Sequence, residues 1–170
     1  MLFGPRVLAA EQYDPTIEYN LKAQILFIFA DLAEWPTNAF PSANAPFVIG
    51  ILGSDPWKGK LQQRLADLDF NRVKGRALVC TNYQDELGAR NCHLLFISKS
   101  EKSSRVSQIL QSLKALAVFT VVEADQPTKN NAVIIMYVKG NLRYMVNQKA
   151  AADAKLKMKP DLLTQATEVF

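Results

Sequence analysis

The chain has 170 residues, 49% of them hydrophobic and 21% charged. That size and balance fit one globular fold with a real core, and no apolar run reaches the roughly 18–20 residues that a transmembrane helix needs. The net charge of +4 is uneven: residues 1–128 hold 13 basic and 13 acidic side chains, and residues 129–170 hold 7 and 3. A basic last quarter favours acidic partners or anionic lipid. It is too small to indicate nucleic acid, and no nucleic-acid motif accompanies it.

The first ten residues are too short and broken for a full signal peptide. Val7-Leu8-Ala9 followed by Ala10 reads either as the cleavage end of one or as an N-terminal tail. The expected organisation is a tail or signal-peptide remnant over 1–13 and a single domain over 14–170.

Asp14-Pro15 opens the first helix, the aspartate as cap and the proline pre-set for the first helical position. Ile17, Leu21, Ile25, Ile28 and Leu32 recur every three or four residues and predict its buried face, widened by Phe29. Trp35-Pro36 ends it, and residues 37–45 read as an exposed loop. The continuous run Phe47–Leu52 predicts a strand buried on both faces. Gly53-Ser54-Asp55-Pro56 is a turn and helix start, with Asp55 as the helix cap. Trp57, Leu61, Leu65 and Leu68 stripe that helix.

A β region begins at Val73, with Lys74-Gly75 as a turn and Ala77–Cys80 as its apolar part. Asn82 is read as the cap of a short helix through Leu87. His93–Ser98 is another buried strand. Ser100 is read as the cap of a helix with Val106, Ile109, Leu110 and Leu113 inward, and Val118–Val122 as a fourth strand. Residues 132–138 and 142–146 flank Lys139-Gly140-Asn141 and predict a hairpin. Short helices follow over 148–155 and from Asp161. Strands alternating with helices imply an α/β fold, with a mostly parallel central sheet, helices on both faces and an antiparallel hairpin at its C-terminal edge.

Chemistry is sparse. Gly53 and Asp55 stand at the one glycine-bearing strand-to-helix junction, where α/β folds bind ligands, yet the segment is neither GxGxxG nor a phosphate-binding loop. A structural turn is the simpler reading and a ligand contact the sharper one. His93 is the only histidine, and with Cys80 and Cys92 it offers too few well-directed ligands for zinc. No nucleophile elbow and no paired carboxylates stand out, so no catalytic residue, metal or cofactor is predicted. Cys80 and Cys92 are either buried free thiols or a short-loop bridge. Asn147 caps the next helix or meets a partner. The lysines of 148–159 offer at most a thin amphipathic helix, with Ala151, Ala154, Leu156 and Met158 as its apolar side.

Four segments together carry a resemblance: Asn20–Ala30 with Glu34-Trp35-Pro36; Phe47–Gly53 with Asp55-Pro56; Cys92–Ser98; and Leu142–Asn147 with Ala150-Ala151. They resemble the YfiR-like family of small bacterial envelope proteins from about residue 16 to about 169. The chain departs from the family at Asn130-Asn131, where a glycine pair is usual, and at Lys159-Pro160-Asp161, where two serines are. The disulfide of the family's namesake joins the first central strand to the cysteine matching Cys92; no cysteine stands in that strand here, so the bridge is absent.

The resemblance implies export to the periplasm, homodimers, and a non-enzymatic regulator that restrains an inner-membrane signalling protein, a diguanylate cyclase or sensor kinase, lowering cyclic-di-GMP output and biofilm formation. Expected partner contacts are Trp35, Asn147 and the cluster Lys155, Lys157 and Lys159, whose simpler reading is a solvated surface. The alternative function is a small-ligand sensor or carrier using the crevice beside Gly53 and Asp55.

Overall fold

The computed structural model describes residues 14–170; the expected tail or signal remnant lies outside them. In chain order the elements are α1 (Pro15–Leu32), β1 (Ala33–Glu34), a 3-10 turn (Thr37–Ala39), β2 (Phe47–Leu52), α2 (Leu61–Ala66), β3 (Arg72–Val73), β4 (Arg76–Tyr83), α3 (Glu86–Ala89), β5 (Leu94–Ile97), α4 (Ser103–Leu113), β6 (Phe119–Ala124), β7 (Ile134–Lys139), β8 (Asn141–Val146), α5 (Gln148–Asp153), β9 (Lys157–Met158), α6 (Pro160–Thr164) and β10 (Glu168–Val169). Eight strands form one sheet in the order β10-β8-β7-β6-β5-β2-β4-β3, and β1 and β9 form a separate antiparallel ribbon.

The fold is α/β with a mixed, mostly parallel sheet. Strands β4, β2, β5, β6 and β7 are parallel neighbours. The β7–β8 hairpin is antiparallel, turned by Gly140 at φ +72°. It does not form the outer edge as expected, because β10 adds in parallel beyond β8. Side chains alternate across β2: Phe47, Ile49 and Ile51 join the core beneath α1, α2, α5 and α6, and Leu52 joins the one beneath α3 and α4. The chain leaves β2 for β4 on one side, then returns past β2 to β5 on the other. The carboxyl ends of β2 and β5 therefore flank a topological switch point, the place where open α/β sheets form crevices.

Helix α1 starts as predicted: Asp14 Oδ1 accepts the Thr16 N–H at 2.8 Å and Pro15 occupies the first turn. Its buried face overlaps the predicted one only in part: Phe29 is buried and Ile25 and Leu32 pack partly on the core, but the centre of the face lies elsewhere. Lys22, Ala23, Leu26, Phe29 and Ala30 face the sheet. Ile17, Leu21 and Ile28 remain 68%, 43% and 44% exposed. The helix is apolar on two opposite sides, so the three-and-four spacing fits both. Close packing selects the side with Ala23 and Ala30, whose small side chains bring the helix axis near the sheet.

Three caps also differ. Strand β4 runs on through Asn82, so α3 is capped instead by Asp85, which accepts the Gly88 N–H. Helix α4 starts at Ser103 after Lys102, and Ser100 is engaged elsewhere. Helix α2 starts after Lys60, without a side-chain cap from Asp55. Helix α5 stops at Asp153 and β9 follows, so no amphipathic helix spans 148–159.

Candidate functional site

At the switch point a crevice of about 820 Å³ opens between the β2–α2 loop, the β5–α4 loop and the first turns of α1. Gly53, at φ +92°, turns the chain after β2. A Cβ there would lie 2.9 Å from Ser100 Oγ, which accepts the Ser54 N–H at 2.8 Å and ties the two loops together. Asp55 holds the turn from inside: its carboxylate accepts the N–H groups of Trp57 and Gly59 and the Asn82 side-chain amide, at 2.8, 2.5 and 2.9 Å. Gly53 and Asp55 thus shape the crevice, and their neighbours Ser54, Pro56, Trp57 and Lys58 line it. The Trp57 ring is buried, and its Nε1–H donates to Tyr19 O at 2.8 Å.

A buried charge network lies under the crevice. Lys22 Nζ reaches Glu123 Oε1 at 2.5 Å and also pairs with Glu18. The Tyr19 hydroxyl donates to Glu123 Oε1 at 3.0 Å, and the Lys99 N–H to Glu123 Oε2 at 3.1 Å. Burial, with the Glu123 charge second, pushes the Tyr19 hydroxyl well above its ordinary range. Sequence reasoning missed this network. Lys22 and Glu123 stand 101 residues apart, and a lone lysine on an apolar helix face reads as a surface residue.

The expected partner residues fall into two groups. The β1–β9 ribbon pairs Glu34 with Lys157, and Lys159 N–H donates to Leu32 O at 2.8 Å. Lys155, Lys157 and Lys159 are exposed beside the carboxyl end of α1 and the Trp35 loop. Trp35 itself is half-buried, its ring edge-on to Phe47 and its Nε1–H donating to His93 O at 3.1 Å. Asn147 is separate and buried. It caps α5 by accepting the Ala150 N–H, and its amide donates to Asn130 O.

His93 is held as a neutral ring. Nδ1 accepts the Val48 N–H at 3.0 Å, which leaves Nε2 to donate to Ala39 O at 3.2 Å. Phe40 and Phe47 stack on its faces. Burial, first, and the nearby Arg76 charge lower its pKa, outweighing the Ala39 contact. Among the described residues no group of histidine, cysteine and acidic side chains could hold a metal ion.

The model of the YfiR/HmsC-like family matches residues 19–167. The chain belongs to this family of periplasmic regulators. No curated protein is matched.

In this YfiR/HmsC-like protein both cysteines are free thiols. Cys80 lies opposite Ile49 on one side of β2, and β5, which Cys92 precedes, lies on the other. Two strand spacings, about 9–10 Å, exceed the roughly 7 Å reach of a disulfide. The thiols also face opposite ways: Cys80 packs on the α1 side, while Cys92 sits in the α4-side core, its Sγ 3.0 Å from where a Gly50 Cβ would lie.

Another surface feature of this YfiR/HmsC-like protein is the outer stripe of α1. Ile17, Leu21 and Ile28 are exposed in a row at helical spacing, leading toward the lysines of the β1–β9 end. The spacing was visible in the sequence; its outward direction was not.

Proposed function

We propose that this protein works in the periplasm as a non-enzymatic regulator that binds and restrains an inner-membrane signalling protein, a diguanylate cyclase. The observation that carries the reading is the outer stripe of α1. Large apolar side chains aligned on one exposed helix face suit a protein-binding surface. Its occupant is an apolar helix face on the periplasmic part of the receptor. The basic end, with Lys155, Lys157 and Lys159 beside the Trp35 loop, suits acidic side chains flanking that face. Tighter binding to the receptor's inactive state than to its active state would restrain output by population shift. Family membership supports the regulatory role.

The test is crosslinking in cells from photoreactive groups at positions 17, 21 and 28, with cyclic-di-GMP measured alongside. The expected result is capture of a membrane-bound cyclase, and raised cyclic-di-GMP when Ile17→Asp and Leu21→Asp are combined. A folded double variant that represses like the native chain overturns the reading. The homodimer expected of the family is tested separately by light scattering. If the double variant dissociates a dimer, the stripe is a seam between copies instead.

A further inference from the structure

The geometry points to the switch-point crevice as a binding site for a phosphate-bearing ligand, formed by Lys58, Lys60, Arg64 and Lys99. The inference is independent of receptor docking. It names a ligand class and residues for a crevice that the sequence marked only through Gly53 and Asp55.

Position gives the first argument. The crevice lies beyond the carboxyl ends of β2 and β5, where the strand order reverses. Its volume of about 820 Å³ is that of a small-molecule site.

Charge gives the second. Four cationic side chains and one carboxylate, Asp125, line the crevice. Asp125 is taken by Lys99 at 3.2 Å. Among the described residues, Lys58, Lys60 and Arg64 have no carboxylate within 4.0 Å, and their cationic groups make no hydrogen bond. Their convergence follows from the chain path. Lys58 at φ +53° and Gly59 at φ +77° fold the loop back on itself, Lys60 immediately precedes α2 and Arg64 lies in its last turn, and all three cations line the crevice. Like charges gathered in a crevice focus a positive field. A ligand with several negative oxygens relieves their repulsion and suits the guanidinium of Arg64. Thr16, Ser54 and Ser100 also line the crevice and bring neutral hydroxyls. Asp55 keeps its charge beside the crevice, but three donors hold its carboxylate within the turn, and the four lining cations outnumber it together with Asp125.

Such phosphate is either free in solution or part of a lipid headgroup, and the test separates the two. Sodium pyrophosphate is titrated into the full chain at constant ionic strength by calorimetry. Sedimentation with vesicles of phosphatidylglycerol is compared with phosphatidylcholine. The expected result is saturable one-site binding, weakened about tenfold in a Lys60→Gln/Arg64→Gln variant and unchanged in a Lys114→Gln/Lys139→Gln variant of equal charge, whose two lysines are exposed elsewhere. Circular dichroism confirms that both variants fold. Binding to phosphatidylglycerol vesicles alone, with the same variant pattern, assigns the site to a headgroup. No saturable binding in either arm, or equal weakening by both variants, overturns the site.

Discussion

Lys22 on α1 and Glu123 on β6 form an ion pair with 2% and 1% of their side chains exposed, clamping the helix to the end of the sheet beside the switch-point crevice. Glu123 also accepts from the Tyr19 hydroxyl and the Lys99 backbone, so one carboxylate ties together α1, β6 and the β5–α4 loop.

Removing one partner leaves the other charge buried. Glu123→Leu or Lys22→Met alone is expected to cost about 3–5 kcal/mol, whereas the double replacement with apolar side chains should recover much of the loss. Urea denaturation of the three variants checks this. Single losses below about 1 kcal/mol, the range of exposed pairs, would show that the network does not hold the helix.

The two apolar sides of α1 predict opposite outcomes. Leu26→Ala removes a fully buried side chain and is expected to cost about 2–5 kcal/mol. Leu21→Ser or Ile28→Ser on the outer stripe should change stability by no more than about 0.5 kcal/mol. Guanidinium unfolding of the three variants decides which side is the core, and a large loss from the outer pair would reverse the assignment.

What was legible in the sequence follows from how each element is stabilised. Phe47–Leu52 and His93–Ser98 were readable as strands because a parallel strand covered on both faces must be continuously apolar. The two-residue strands β1, β9 and β10 have too few residues for any periodicity and exist because tertiary packing lays them side by side. Asp14 and Pro15 act locally, so the start of α1 was readable; Asn82 and Ser100 make their contacts across loops, and Asp55 holds the turn before α2 instead of the helix itself, so local capping logic misplaced all three. The crevice was marked by its turn, but its cations come from separate loops that only the topology joins.

The cysteines are expected to be unreactive in the native protein. Burial pushes Cys92 up to about 12; burial, with the Asp55 charge second, does the same for Cys80. At pH 8 only about 10⁻⁴ of either is thiolate, the form that reacts. Iodoacetamide should label neither quickly under native conditions, and both on denaturation without reductant. Mass spectrometry showing a linked Cys80–Cys92 peptide in the oxidised protein would contradict the separation of the two strands.

His93 predicts how stability responds to acid. Its folded pKa is lowered below the ordinary value of 6.5 by burial, so the unfolded chain takes up the proton first as pH falls. The contribution of a neutral His93 is therefore complete above the unfolded pKa. It declines as pH drops from 6.5 through the lower folded value, because protonation must desolvate a charge and break the bond that Nδ1 accepts from Val48. Proton NMR of this single histidine should give a midpoint below 6.5. Urea unfolding should show stability falling across that window in the native chain, and a shallower fall in His93→Gln, whose side chain does not titrate. A midpoint above 6.5 would mean that the ring carries its charge in the fold, and the neutral arrangement between Phe40 and Phe47 would have to be abandoned.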